Sequence, residues 1–530
     1  MTDLKVDAES SETERMSSLI WLVGAATFFQ GYCSVLPGVI IGDTARTFET
    51  QGDTAIVILA IALGTMGALF LAPIGDRRGR RPLLIWSTLA FSVLSAASGL
   101  AGNLFVFAGL QFLARAFVVA GFAAAIALLV ESVPGQRRGW AIGIVSLFGG
   151  AGVAAATGLH RVFTGTQFTW RATCLFSLMG LLTVLWLRSG LEESQPWKSE
   201  RLLANRLTGG QRMQLMQVTL LHFFAFFGLL GTATWWTEYA SNEAGLGPGT
   251  VENLFSTAFV IGLTGYLFGG WFQDRVGRRR AGTIFLLGSG AATALVFQVV
   301  DPTASLPLLA IAAFLGFSVL PVLTAVTAEI FPTRNRTSSL AYARAIGGTA
   351  GGILGPLMIG FLADRRLNII GNISDSAAAA AAVLLAAVLV LRLLPETGGR
   401  ELASIAAATD IPDPQIPTAT SLTVTARPAR APARAGAPSP SQGPPTTGER
   451  RRPPDIRERA AITTMPRHEA VPPAIPRHHP PPTTEEVESR WDEAASGDPP
   501  SPPDLPSDPS RFDEWLFRPS DEDPGDDRQA

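Results

Sequence analysis

The densest chemistry in the sequence lies in Gly75-Asp76-Arg77-Arg78-Gly79-Arg80-Arg81-Pro82, an acid and four guanidiniums set between two long apolar runs. Hydrocarbon cannot host that many guanidiniums, so the stretch must be a short loop in water at one membrane face. It has the glycines of a phosphate cradle but not the strand, lysine or helix context of a P-loop. Pro82 suits the first turn of a following helix, where its missing N–H costs nothing. Nearly the same words return as Gln273-Asp274-Arg275-Val276-Gly277-Arg278-Arg279-Arg280, with Asp274 standing 198 positions after Asp76 (274 − 76). Glu131 and Glu329, Arg138 and Arg336, and Gly149-Gly150 and Gly347-Gly348 keep that same offset. Two halves with matching loops are the pattern of duplicated carriers with parallel repeats.

Acids and guanidiniums at helix ends have two uses. A carboxylate can accept hydrogen bonds from a helix N-terminus, and it can pair with a nearby arginine. Asp76 and Asp274 are placed for the first, and Glu131 and Glu329 for pairing with Arg80, Arg138, Arg278 and Arg336. Half-exposed pairs are worth about 1 kcal/mol each, so several together bias a two-state equilibrium yet stay breakable. The expected cytoplasmic gate is therefore Asp76, Arg77, Gly79, Arg80, Glu131 and Arg138 in one half. In the other it is Asp274, Arg275, Gly277, Arg278, Glu329, Arg334 and Arg336.

The elements that must position these groups are membrane spans. The mean hydropathy of +0.27 averages two regimes: apolar segments of roughly 20 residues, each able to cross about 30 Å of hydrocarbon, and a polar tail. Twelve spans are expected, at 18–41, 54–74, 82–101, 103–131, 139–160 and 171–190, then 215–240, 251–273, 281–300, 303–331, 339–362 and 372–395. Most loop arginines, from Arg77 to Arg336, fall on the side shared by both termini, and few (Arg46, Arg161, Arg365, Arg366) fall on the other. The positive-inside rule then makes both termini cytoplasmic and the protein a multi-pass plasma-membrane protein. The fold expected is an all-α integral membrane protein of twelve transmembrane helices in two pseudo-symmetric six-helix halves with a disordered cytoplasmic C-terminal tail. The divisions are 1–17 (N-terminal segment), 18–190 (first half), 191–214 (central loop), 215–395 (second half) and 396–530 (tail). Cys33 and Cys174 both lie in apolar segments, which implies neither a disulfide framework nor a metal site. Glycines of the fifth and eleventh spans, from Gly149 to Gly152 and from Gly347 to Gly360, are expected to let helices approach closely.

These motifs resemble the major facilitator superfamily, over about Trp21 to Glu401. Gly75 to Arg81 is similar to the family's loop between its second and third helices, with Ala72 in place of a leading glycine. Glu131-Ser132-Val133-Pro134 with Arg138-Gly139, and Glu329 to Arg334 with Arg336, resemble the pattern after the fourth and tenth helices. Leu191 to Trp197 and Leu394 to Gly399 resemble the ends of the two halves. The resemblance implies a non-enzymatic secondary active or facilitative carrier, working by alternating access, of the branch that holds sugar and aromatic-acid symporters. It implies no cofactor, no nucleic acid, and a small organic solute and the lipid bilayer as partners. A drug or metabolite exporter, or a carrier-like sensor signalling through its tail, are the alternatives. The fifth span lacks the Gly-Pro pair of many drug antiporters.

Symporters of that branch commonly carry an acid pair around glycine in the first helix, where this chain has Gln30-Gly31-Tyr32-Cys33, and an arginine where it has Gln111. An amide does not titrate in the physiological range, so protons either are not coupled or ride on an unusual group, for which Glu238 in the seventh span is the candidate. Trp235 and Trp236 beside it read as interface belt. Arg115 lies roughly 18 Å down the fourth span, near mid-membrane, where an unpaired guanidinium costs at least about 3 kcal/mol. It follows Gln111 by one turn on the same face. Gln30, Gln111, Arg115 and Arg344 are thus the expected substrate-binding residues, with Arg115 favouring an organic anion over a sugar. The tail, rich in Pro, Ala and Arg, lacks the apolar residues for a core; its aromatic cluster Phe512, Trp515 and Phe517 is the one stretch that could dock a cytoplasmic partner.

Overall fold

A computed structural model describes residues 2–49, 54–164, 169–200, 207–299, 301–367 and 369–409. The tail beyond 409, with Phe512, Trp515 and Phe517, lies outside the described residues. In the first half α1 (Thr2–Val39), α2 (Ile41–Thr47), α3 (Thr54–Arg78), α4 (Arg80–Ser98), α5 (Leu104–Ser132) and α6 (Arg138–Phe163) follow one another. The sixth span is α7 (Thr169–Phe176) continued through a 3-10 turn, Ser177–Met179, into α8 (Gly180–Gly190). After α9 (Gln195–Glu200) come α10 (Gly209–Asn242), α11 (Pro248–Val276), α12 (Arg278–Val296) and α13 (Pro302–Ile330). The fifth span of this half is α14 (Arg336–Tyr342), a π-helical turn at Ala343–Gly348 and α15 (Thr349–Ala363). The sixth is α16 (Ile373–Ala382) with α17 (Leu384–Leu393), and α18 (Leu402–Thr409) ends the described chain.

All described elements are helical, as hydrocarbon demands of a backbone that has no water to bond with. Among the described residues ten segments are long and apolar enough to cross a membrane. The other two of the twelve, α4 and α12, have 19 residues each and begin with arginines. Their lower hydropathy has a structural reason in α4, where Ser87, Thr88, Ser92, Ser95 and Ser98 are all buried against neighbouring helices rather than facing lipid.

Within each half the first and fifth spans meet backbone to backbone. A Cβ at Gly152 of α6 would stand 1.9 Å from the Phe28 carbonyl oxygen of α1, and one at Gly351 of α15 would stand 2.1 Å from that of Phe223 in α10. Small residues are what allow such an approach. The two halves join where α3 packs on α14 and where α6 packs on α11. At the second seam a Cβ on Gly270 would lie 2.6 Å from the Gly139 carbonyl.

Gly152→Val should therefore force α1 and α6 apart, at a cost of about 1–3 kcal/mol or more, and lower the melting temperature of the detergent-purified protein. Gly158→Ala, where a Cβ meets open space, should leave it unchanged.

Candidate functional site

On the arginine-rich face the last turn of α3 delivers Asp76 to the first turn of α14 in the other half. Asp76 Oδ1 accepts the Thr337 amide at 3.1 Å, and Oδ2 accepts the Ser338 amide at 2.9 Å and its hydroxyl. The repeat does the same in the opposite sense: Asp274, near the end of α11, accepts the amides of Gly139 at 3.0 Å and Trp140 at 2.7 Å in the first turn of α6. Each acid thus occupies the anion-binding end of a helix in the partner half.

Arginines complete the cluster. Arg80 reaches Asp76 at 3.4 Å and Glu131 at 3.2 Å, and Arg336 reaches Glu131 across the halves at 2.5 Å. In the second half Arg278 meets Asp274 at 2.9 Å and grips Glu329 with two bonds of 2.8 and 3.1 Å. Arg80, Arg278 and Arg336 are fully buried, where removing one partner of an ion pair strands a charge. Arg138 departs from the expected pairing. It donates to the carbonyls of Val130 and Val133 at 3.1 Å and of Arg400 at 2.9 Å, because the end of α5 turns back beneath it and presents main-chain oxygens first. Arg77 and Arg275 are exposed, the latter stacked 4.4 Å over the Trp271 ring, and Arg334 sits half-buried in the 3-10 turn Thr333–Asn335.

Four further groups belong to this face and stand outside the 198-residue register. Glu193 accepts the amides of Arg80 at 3.1 Å and Arg81 at 3.0 Å, and Glu396 those of Arg278 at 2.8 Å and Arg279 at 3.0 Å, so each acid caps the helix that opens with the arginines. Their neighbours Ser194 and Thr397 donate to Glu131 and Glu329. These pairs are 203 positions apart (396 − 193). Gly79 and Gly277 make the capping possible. Both have positive φ, 113° and 93°, and a Cβ at Gly79 would fall 2.2 Å from a Glu193 carboxylate oxygen. Burial by itself would raise the Glu396 pKa. The amides of Gly398, Arg278 and Arg279 and the Arg278 charge outweigh it and hold the carboxyl below its ordinary value.

The second candidate region is a cavity of about 170 Å³ between the halves, walled by α1, α5, α6, α10, α11, α13 and the π-helical turn. Arg115 enters it from α5, donating through Nε to Thr65 Oγ1 at 3.2 Å and through Nη1 to the Ser34 carbonyl at 3.0 Å. Arg344 enters from the π turn, its guanidinium 4.1 Å above the Phe122 ring. Gln30 of α1 is buried on the wall with neither amide atom hydrogen-bonded. Among the described residues lining the cavity there is no Asp or Glu. A more apolar chamber of about 300 Å³ adjoins it, sharing Phe226 and Leu320 and lined by Trp236, Phe255, Phe259, Phe297 and Phe317.

The structure keeps several of the expected groups away from the cavity. Gln111 does not line the cavity: it lies a turn nearer the start of α5, where close packing on α4 holds its amide 2.8 Å from Ser98 Oγ. Glu238 is exposed, far along α10, and accepts from Asn242 on its own helix. Of the tryptophans beside it, Trp236 does not serve as interface belt. Trp236 is buried against Phe255, and Trp235 Nε1 donates to the Pro356 carbonyl at 2.8 Å. The sequence reading also passed over His222 and Tyr266, which do line the cavity. A lone imidazole inside an apolar span was the available signal, since ionisable groups there mark function by default.

Twelve helices in two duplicated halves around a buried polar cavity define a membrane carrier of small organic solutes. The chain belongs to the Major Facilitator Superfamily, which it matches over residues 20–235 and 218–414. It is 24% identical over 319 residues to the sialic acid transporter NanX of Escherichia coli (strain K12), covering 58% of this chain and 78% of that one. Its identity to the putative niacin/nicotinamide transporter NiaP of Bacillus subtilis (strain 168) is 27% over 319 residues, 57% of this chain and 77% of the relative. Among solved structures the proton:xylose symporter XylE shares the fold with a TM-score of 0.62 at 17% identity, over 75% of this chain and 99% of that one.

Because the Glu396 carboxyl is held below the value of the free side chain, 4.5, the stability its capping adds is fully present above about pH 4.5 and disappears as pH falls through the lower folded value. Melting temperatures between pH 7 and pH 3 should fall less steeply for Glu396→Gln than for wild type.

Proposed function

We propose that the protein carries a small organic anion, in the simplest case a carboxylate, across the plasma membrane by alternating access. The observation that carries this reading is the cavity between the halves. Two guanidiniums, Arg115 and Arg344, and an unbonded carboxamide, Gln30, converge on it without an internal acid among the described lining residues. A buried guanidinium is costly without a negative partner, and a bidentate carboxylate is the geometry it binds best. The solute supplies that charge. The adjoining aromatic chamber can take the solute's apolar body, which suits an aromatic or other bulky acid better than a sugar. Sialic acid, named for one relative, and niacin, named beside neutral nicotinamide for the other, are carboxylic acids.

The arginine-rich face is the cytoplasmic side, with both termini there, and its cluster is the gate. Asp76 and Asp274 latch each half onto a helix start of the other, and Glu131 holds Arg336 across the seam. Opening toward the cytoplasm exchanges these bonds for water. Gln30, Arg115 and Arg344 bind the solute in this scheme, while Gln111 supports the α4–α5 contact behind them.

Uptake of labelled carboxylates into proteoliposomes tests both parts. Arg115→Gln should raise the half-saturating concentration about 10–100-fold, the equivalent of a lost charge-assisted hydrogen bond of about 1.5–3 kcal/mol, while Arg115→Lys loses less. A neutral sugar as the transported solute, or unchanged carboxylate uptake by Arg115→Gln, would sink the anion site. Asp76→Asn should reach the membrane normally and slow turnover by at least about tenfold, since it gives up charge-assisted bonds of similar size. Unchanged turnover would remove Asp76 from the gate.

A further inference from the structure

We propose that His222 is the proton site of this carrier, and that the solute and the proton bind cooperatively in the same cavity. This rests on the anion-carrier reading above.

His222 stands on α10, on the wall that also presents Arg115, Arg344 and Tyr266. Its orientation is fixed at one face of the ring and at one nitrogen. Nδ1 lies 2.9 Å from the Val218 carbonyl oxygen, one turn back along α10. A carbonyl only accepts, so Nδ1 carries the hydrogen, and the lone pair that can take a proton is at Nε2. The imidazole stacks on Phe226 with centroids 6.2 Å apart and planes 10° from parallel. No described residue hydrogen-bonds Nε2.

The charged and titratable groups facing this ring come from three elements: Arg115 on α5, Arg344 on the π-helical turn and Tyr266 on α11. Gln30 on α1 and Thr324 on α13 add neutral polar groups. A guanidinium does not deprotonate in a protein, and a phenol titrates near 10. Imidazole is the one side chain in this set that can load and unload a proton across physiological pH. With no acid on the wall, protonation of Nε2 would add a third positive charge beside two arginines. A carboxylate seated between the arginines supplies the missing negative charge, so each ligand improves the binding of the other, and by linkage to the same extent.

The step is a reversible protonation. A proton from the solution on the open side adds to the Nε2 lone pair, giving an imidazolium with N–H at both nitrogens. After reorientation the same N–H bond breaks and the proton leaves with the anion on the opposite side. One proton and one monovalent carboxylate cross together, and the empty carrier returns with neutral His222. The ring also sits at the joint that must move. A Cβ on Gly347, within the π turn, would come 3.1 Å from the Cβ of His222 and 2.1 Å from the Thr219 carbonyl. Proton loading and the packing of α10 on the eleventh span are therefore in direct contact. π turns recur at functional sites in helices.

The test uses full-length protein in proteoliposomes with the membrane potential clamped, and a panel of labelled benzoate, nicotinate, gluconate and N-acetylneuraminate. Wild type should accumulate at least one of them about tenfold under an inward gradient of one pH unit, the ratio set by one-to-one coupled movement of proton and anion in the same direction. His222→Gln and His222→Asn should still catalyse solute-for-solute exchange at zero gradient and saturating solute, with a raised half-saturating concentration, because exchange needs no net proton movement. They should lose accumulation and the accompanying alkalinisation of the medium. Accumulation that survives in either variant would overturn the assignment while leaving the anion carrier intact. Loss of exchange in both variants would show that His222 serves structure, which also overturns it. If wild type moves none of the four acids, the anion reading fails, and the proton site falls with it.

Discussion

A carboxylate that accepts the opening amides of a helix in the opposite half is the interaction on which the closed face depends. Asp76 and Asp274 each make it, in opposite directions across one seam. Everything else on that face follows from having buried those two acids. Arg80 and Arg278 sit one turn beyond them to balance their charge, Glu131 and Glu329 answer the arginines, and Ser194 and Thr397 answer the glutamates. Buried ion pairs of this kind add little net stability, because desolvation cancels most of the Coulomb gain, but they penalise partial rupture heavily. That combination suits a switch.

The two halves match in sequence but not in use. Glu131 holds both its own Arg80 and the other half's Arg336, whereas Glu329 spends both oxygens on Arg278 of its own half. Arg138, the counterpart of Arg336, is satisfied by carbonyls. Buried side-chain ion pairing between the halves is therefore concentrated where α14 meets α3 and α5, while an exposed pair, Arg161 with Glu252, joins α6 and α11 at the opposite face. On the arginine-rich face the α6–α11 seam combines the Asp274 carboxylate on the Gly139 and Trp140 amides with backbone proximity at Gly139, Gly143 and Gly270.

Much of this was legible in the residues, and the remainder was hidden for identifiable reasons. A repeated acid-arginine loop is a pattern of side-chain types, so the repeat and the charged face could be read directly. The partners of Asp76 and Asp274 could not, because backbone amides leave no trace in the sequence. Glu193 and Glu396 escaped because their spacing differs from 198. Helical periodicity put Gln111 and Arg115 on one face but could not say that the cavity ends between them; the α4 packing decides that. Trp236 was misread because apolar residues on a membrane helix look alike whether they meet lipid or another helix.

The change of register, from 198 to 203 positions, locates where this fold has tolerated altered length. It arises after Gly150 and Gly348, which still keep the shorter offset, and before Glu193 and Glu396. Most of the difference lies at the turn between the fifth and sixth spans, where α6 ends at Phe163 and α7 begins at Thr169, while α15 ends at Ala363 and α16 begins at Ile373. That turn is on the face away from the arginines. On the arginine side the turns at Gly79 and Gly277 are tied to helix caps and buried charges, so an added residue there would detach a carboxylate from its amides. At the 364–372 turn the cap that Glu243 forms on the Ile373 and Ser374 amides begins only beyond Asn372, which makes the exposed stretch at Arg365–Arg366 the natural place to insert an epitope or a fluorophore.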